Sequence, residues 1–214
     1  MKRLWILFVL VTACVSANGA APAGPPVILV FGDSISAGYG LPRIEQGWVT
    51  LLQAKLMKEG YGYEVVNASV SGETTEGGLG RLPRALSLHH PSIVILELGG
   101  NDGLRALPIA PMRANLARMA ELSTAAGAKI VLVGMRIPPN YGPQYTEQFS
   151  RVYAQIAHDD HLALVPFLLD GVALTPTLMQ DDGIHPNGAG QPRLLENVWP
   201  ALAPLLKPSA HAAP

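Results

Sequence analysis

Residues 27–40 read VILVFGDSISAGYG. Four apolar residues, Val27 to Val30, run through Phe31 into Gly32-Asp33-Ser34. A short continuous apolar run that ends in a glycine turn predicts a buried parallel strand whose carboxyl end opens onto a loop. In open α/β sheets ligands bind outside that end. Ser34 is therefore a hydroxyl at the kind of place where chemistry is done, and Gly32 lets the backbone come close. A plainer reading has Ser34 merely capping the next helix. This stretch does not choose between the two, so the rest of the chain has to.

Outward from that strand, the pattern alternates. Residues 47–59 set Trp48, Leu51, Leu52, Leu56 and Met57 at helical spacing, and Gly60 ends the helix. Strands are expected at 63–70, 92–98, 129–135 and 162–168, and further helices at 75–88, 109–126, 145–159 and 188–206. Strands alternating with helices at this spacing predict an α/β fold: a three-layer α/β/α sandwich on a five-stranded parallel sheet, flavodoxin-like in order. No internal repeat and no second domain is visible. The domain is expected over 27–207, with a disordered tail at 208–214.

The whole chain has 214 residues and a formal net charge of −1, without a basic stripe or an acidic tail. That excludes the electrostatic footprint of a nucleic-acid binder. Residues 1–20 read as an export signal: Lys2 and Arg3, then an apolar run from Leu4 to Val11 too short to span a bilayer. Val15-Ser16-Ala17 and Asn18-Gly19-Ala20 both suit cleavage, and residues 21–26 would be a linker. The single cysteine, Cys14, ends Val11-Thr12-Ala13-Cys14, which resembles a bacterial lipobox. Two fates stay open for it: lipidation as a membrane tether, or loss with the signal. Either way the folded domain has no cysteine, so disulfides and cysteine nucleophiles are excluded.

Three strand ends carry polar turns: Gly32-Asp33-Ser34, Ser71-Gly72 and Gly99-Gly100-Asn101-Asp102. In a parallel sheet these converge on one edge. Near the C-terminus, Asp181-Asp182-Gly183-Ile184-His185-Pro186-Asn187 adds an acid and an imidazole in one loop. A serine needs a base to act as nucleophile, and the base needs a partner that fixes its tautomer. Asp182 and His185 offer both from one turn. A tetrahedral intermediate needs donors aimed at its oxyanion, and the Ser34 N–H, the Gly72 N–H and the Asn101 side-chain amide are available.

The blocks FGDSISAGYG, NASVSGETT, LELGGNDGLR and MQDDGIHPN resemble, in order and spacing, the four signature blocks of the GDSL/SGNH hydrolases. The resemblance runs from Val27 to Leu206. Within the family it is closest to the bacterial periplasmic thioesterase I/lysophospholipase/arylesterase group, whose segment around IPPNYGPQYTEQFS is also similar. Carried over by position, it implies Ser34 as nucleophile, His185 as base and Asp182, rather than Asp181, as the orienting carboxylate. Ser34, Gly72 and Asn101 would form the oxyanion hole. It implies no metal and no cofactor. The Gly-x-Ser-x-Gly elbow of α/β-hydrolases is absent around Ser34, which argues against that fold.

Other residues draw blander readings. His158-Asp159-Asp160-His161 reads as a solvated helix end, and His89-His90-Pro91 as a surface turn. Gly77, Gly78 and Gly80 miss the spacing of a nucleotide loop. Asn67-Ala68-Ser69 matches a glycosylation acceptor but is expected on a buried strand. Asp33 and Asp102 are expected to hold their loops through backbone hydrogen bonds, and Asn187 to fix the histidine loop. Glu97, on an apolar strand, must find a partner that the sequence does not name.

The expected reaction is acyl transfer to water through an acyl-enzyme on Ser34. The apolar, proline-rich loops 104–111 and 135–143 should border the serine and suit a fatty or aryl acyl chain. Aryl esters, acyl thioesters and lysophospholipids are the expected substrates of a protein expected to be monomeric. A carbohydrate acetylesterase on the same scaffold would cleave only short acetyl esters. A catalytically silent acyl-binding lipoprotein would show a broken triad or oxyanion set, and here every position is filled.

Overall fold

The first strand, β1 (Val27–Gly32), is wholly enclosed at Ile28, Leu29, Val30 and Phe31. The computed structural model to which it belongs describes residues 24–208. The expected export signal, its cleavage sites, Cys14, residues 21–23 of the linker and residues 209–214 of the tail lie outside the described residues.

After β1 come α1 (Ser34–Ala37), α2 (Trp48–Lys58), β2 (Glu64–Asn67), α3 (Thr75–His89), β3 (Ile93–Glu97), α4 (Gly100–Leu104), α5 (Ile109–Ala125), β4 (Lys129–Val133), α6 (Pro143–Asp159), β5 (Ala163–Val165) and α7 (Gln191–Leu202). The five strands form one parallel sheet in the order β2-β1-β3-β4-β5. This is the expected flavodoxin-like order. The helices α2 and α7 pack together on one face, and α3, α5 and α6 form a row on the other. Covered on both sides, β1, β3 and β4 are near-continuous apolar runs, and each fully buried leucine or valine there contributes about 1.5–3 kcal/mol.

The two edge strands are shorter than expected. The fifth stops at Val165 because Pro166 has no N–H to continue the ladder. The second ends at Asn67, although Ala68 N–H still donates to Val30 and Val70 N–H to Gly32. As an edge strand it is exposed at both ends, so Asn67 is not on a buried strand. Its side chain is instead bonded to the chain itself: Nδ2 donates to the Ser36 carbonyl at 2.8 Å, and Oδ1 accepts from Ser69 N–H. Met57, expected on the apolar face of α2, is 70% exposed. The last helix starts at Gln191 rather than 188, after Asn187 has drawn the chain into a turn by accepting from Ala189 and Gly190 N–H.

Two elements are absent from the sequence reading. α1 and α4, each one turn long, start directly at the carboxyl ends of β1 and β3. Short helices there point backbone N–H groups into the space above the sheet.

Candidate active site

Ser34 is the first residue of α1, and its cap is Asp33, whose Oδ1 accepts the Ile35 N–H at 3.0 Å. The capping role belongs to Asp33, which leaves the Ser34 hydroxyl free to turn elsewhere. Ser34 Oγ lies 2.8 Å from His185 Nε2, and His185 Nδ1 lies 2.6 Å from Asp182 Oδ2. Asp182 Oδ1 also accepts the N–H groups of Ile184 and His185 at 2.9 and 3.0 Å, so one carboxylate shapes the loop and faces the ring. Asp181 has no such bond among the described residues.

The histidine loop is tied down by two glutamines that the sequence reading did not single out. Gln180 Nε2 donates to the carbonyls of Tyr39 and Pro186, and Gln180 N–H donates to the His185 carbonyl. Gln191, buried at the start of α7, accepts the Trp48 N–H and donates to Pro186. Asn187 Nδ2 donates to Thr177 and Met179, as the loop-fixing role requires. The Tyr39 ring packs 4.7 Å from the His185 ring, centre to centre.

Asn101, in the first turn of α4, donates from Nδ2 to Asp33 Oδ2 at 3.0 Å. Asp102 beside it is buried and accepts from Thr75 twice, at N–H and at Oγ1, which fastens the start of α3 to α4. Both aspartates thus hold loops, and Asp33 also orients Asn101. Gly72 has φ +80°, a conformation that favours glycine, and its carbonyl turns away to accept from Arg105. The N–H groups of Ser34 and Gly72 meet no acceptor among the described residues. Ser34, Gly72, Asn101 and His185 line one cavity of about 680 Å³.

Its walls come partly from the expected loops. Leu104 and the run Met135 to Pro139 contribute, while residues 105–111 do not. A further stretch of wall, Phe167, Leu169, Ala173 and Leu174, follows β5 and was not anticipated. The signal was present as the apolar run 162–169, which continues past the strand. The other candidates stay apart from this cavity. His158 is exposed beside Asp159 at the end of α6, and His90 holds a left-handed turn after α3. Gly78 lies where α3 crosses the sheet, and a Cβ there would come within 2.4 Å of Leu98.

The family described as GDSL-like lipase/acylhydrolase matches residues 30–193. The chain belongs to that family. This acylhydrolase is 57% identical over 184 residues, 86% of its own length and 91% of the relative's, to the esterase TesA of Pseudomonas aeruginosa. It is 41% identical to a thioesterase 1/protease 1/lysophospholipase L1 of Escherichia coli strain K12, over 86% of each chain. Among solved structures, the crystal structure of a TesA superposes with a TM-score of 0.82 at 58% identity, covering 84% of this chain and 99% of the other. The acylhydrolase has the α/β fold of the SGNH hydrolases and is a hydrolase enzyme.

Charge in the site is arranged by burial and by hydrogen bonds. Partial burial would raise the Asp182 carboxyl, but the His185 N–H and imidazole and the Ile184 N–H outweigh it and hold it at about 2. Asp33 goes the other way. Burial lifts it to about 6, against the pull of the Ile35 N–H, the His185 ring and Asn101. In such an arrangement an imidazole can take a serine proton while a carboxylate steadies the cation, and nearby N–H groups can receive an oxyanion.

Proposed function

We propose that this protein hydrolyses carboxylic esters and thioesters through an acyl-enzyme on Ser34. The observation that carries the reading is the 2.8 Å contact of Ser34 Oγ with His185 Nε2 at the foot of an apolar cavity of about 680 Å³. The Ser34 proton passes to His185 Nε2 as Oγ bonds to the acyl carbon. Asp182, ionised and bonded to Nδ1, steadies the imidazolium. The N–H groups of Ser34 and Gly72 and the Asn101 amide receive the oxyanion. His185 then gives its proton to the departing alcohol or thiol. Water, deprotonated by the same ring, releases the acid and restores Ser34.

The cavity is suited to acyl chains longer than acetyl, which favours fatty acyl and aryl esters over sugar acetates. Arg136, stacked 4.9 Å from the Phe167 ring centre, adds a cation to that wall, suited to the phosphate of a lysophospholipid or of a nucleotide-bearing thioester. The relatives named esterase and thioesterase/lysophospholipase support the same substrate classes. Export through residues 1–20 and a monomeric state belong to this reading, as does a Cys14 anchor if the lipobox is used.

The test is hydrolysis of a p-nitrophenyl ester series, acetate to palmitate, by wild type and Ser34→Ala. Activity on medium or long chains that vanishes in the variant is the expected result. Cleavage of acetate alone would turn the reading to a deacetylase, and no cleavage by wild type would leave an acyl-binding protein.

A further inference from the structure

Glu97 ends β3 with a side chain wholly shut off from water. Its Oε2 accepts the Asp33 N–H at 3.2 Å and the Ser36 hydroxyl at 2.6 Å. These two donors flank Ser34 in the chain. The register sets Gly32 opposite Glu97, and a Cβ on Gly32 would come within 2.5 Å of Oε2. Glycine before the nucleophile turn is therefore what lets the carboxyl reach it. The same turn is held from the other side by Asn67, through the Ser36 carbonyl.

We propose that Glu97 is a positioning residue for the nucleophile turn: its buried carboxyl fixes Asp33 and Ser36 on either side of Ser34, and so aims the Ser34 hydroxyl at His185 and the Ser34 N–H into the cavity. The inference rests on Ser34 being the nucleophile.

Glu97 does this as a neutral acid. An isolated buried carboxylate is expensive, and no cation answers it among the described residues. The ionisable groups around it are Asp33 and, beneath, the Tyr153 hydroxyl, which donates to the Leu98 carbonyl. Asp33 is the better home for one negative charge, since it has the Ile35 N–H, the Asn101 amide and the His185 ring. Burial first, and the Asp33 charge second, push the Glu97 carboxyl well above its ordinary range despite the Ser36 and Asp33 bonds. Its Oε1 meets no hydrogen-bond partner among the described residues. One acceptor oxygen in use and one atom without a partner is also what a glutamine would present.

The experiment compares Glu97→Gln, Glu97→Leu and Ser36→Ala with wild type. It reads kcat and KM on p-nitrophenyl butyrate, and the rate at which a fluorophosphonate labels Ser34. Glu97→Gln is expected to stay within about threefold of wild type, because it keeps the acceptor without a charge. Glu97→Leu should lower kcat and labelling by about tenfold or more with KM nearly unchanged, as small misplacements of a nucleophile do. Ser36→Ala should fall between. Full activity in Glu97→Leu would overturn the inference, as would a loss in Glu97→Gln equal to that in Glu97→Leu, or a loss seen in KM alone. If Glu97→Leu does not fold, wild-type labelling of Ser36→Ala overturns it. Failure of wild type itself to be labelled would instead remove the nucleophile reading on which all this stands.

Discussion

The Asn101 amide donates to Asp33 Oδ2 over 3.0 Å, so the residue before the serine sets the direction of an amide 68 residues away. One hydrogen of Nδ2 is engaged by the carboxylate, and the other is left for the cavity. Asn101→Ala is expected to lower kcat by about two to three orders of magnitude with little change in KM. Asp33→Asn should cost less, about tenfold, because an amide facing an amide no longer dictates which way Asn101 turns. Steady-state kinetics on one p-nitrophenyl ester checks both. An unchanged kcat in Asn101→Ala would take it out of the oxyanion site.

Asp33 also makes a prediction about stability. Its carboxyl is buried and lifted from 3.8 to about 6, so the native state holds this proton more tightly than the unfolded chain does. The sign follows: its stabilising effect is complete below about pH 4 and is lost as pH rises through about 6, by roughly 3 kcal/mol. Asp182 acts oppositely and lower, since its linkage falls between 3.8 and about 2. The two therefore separate on the pH axis. Urea unfolding of wild type and Asp33→Asn from about pH 4 to 6 should give a stability difference that shifts in favour of the variant as pH rises. A pH-independent difference would contradict the lifted carboxyl.

The parts of the fold legible in the sequence are those decided by burial. β1, β3 and β4 are sealed on both faces, so their apolar runs stood out. At the edges the pattern misled: β2 carries apolar residues yet has polar, exposed ends. The meeting of Ser34, Asp182 and His185 could be expected because their short motifs survive as local turns, and the structure places His185 within hydrogen-bonding distance of the other two. The Asp33–Asn101 bond and the Glu97 contacts were not, because they join residues more than sixty apart through the register of β1 on β3. The Phe167–Leu174 wall was missed for a related reason. The apolar run 162–169 continues past β5, but nothing local says that the chain leaving the strand will line the cavity.

The segment that carries Gly72 is clamped by one side chain. Arg81 Nε donates to Glu73 Oε2 at 2.8 Å and Nη1 to the Ala68 carbonyl at 2.8 Å, while the guanidinium lies 4.1 Å from the centre of the Phe31 ring. Both ends of residues 68–73 are thus fixed by one planar group. Lysine cannot form both bonds in that geometry. Arg81→Lys is expected to speed amide exchange across the segment and to lower kcat about tenfold, with KM little changed. Exchange at wild-type rates, with kcat nevertheless reduced, would show that Arg81 acts by some route other than holding Gly72.

The last prediction concerns chain length. Leu169 lines the cavity on the wall after β5 and is only 7% exposed, so its side chain is backed by the core. A larger ring at this position has more room toward the cavity than toward the packed interior. Leu169→Trp is therefore expected to fill part of the 680 Å³ and move the optimum of the p-nitrophenyl ester series toward shorter acyl chains. Each methylene excluded from an apolar pocket costs about 1 kcal/mol or more of transition-state binding, so kcat/KM for long chains should fall about tenfold relative to acetate. The fall should lie in the ratio between chain lengths, because Ser34, His185 and Asn101 are untouched. A uniform loss across the series would mean that the substitution disturbs the catalytic groups, and an unchanged profile would mean that the acyl chain takes another path out of the site.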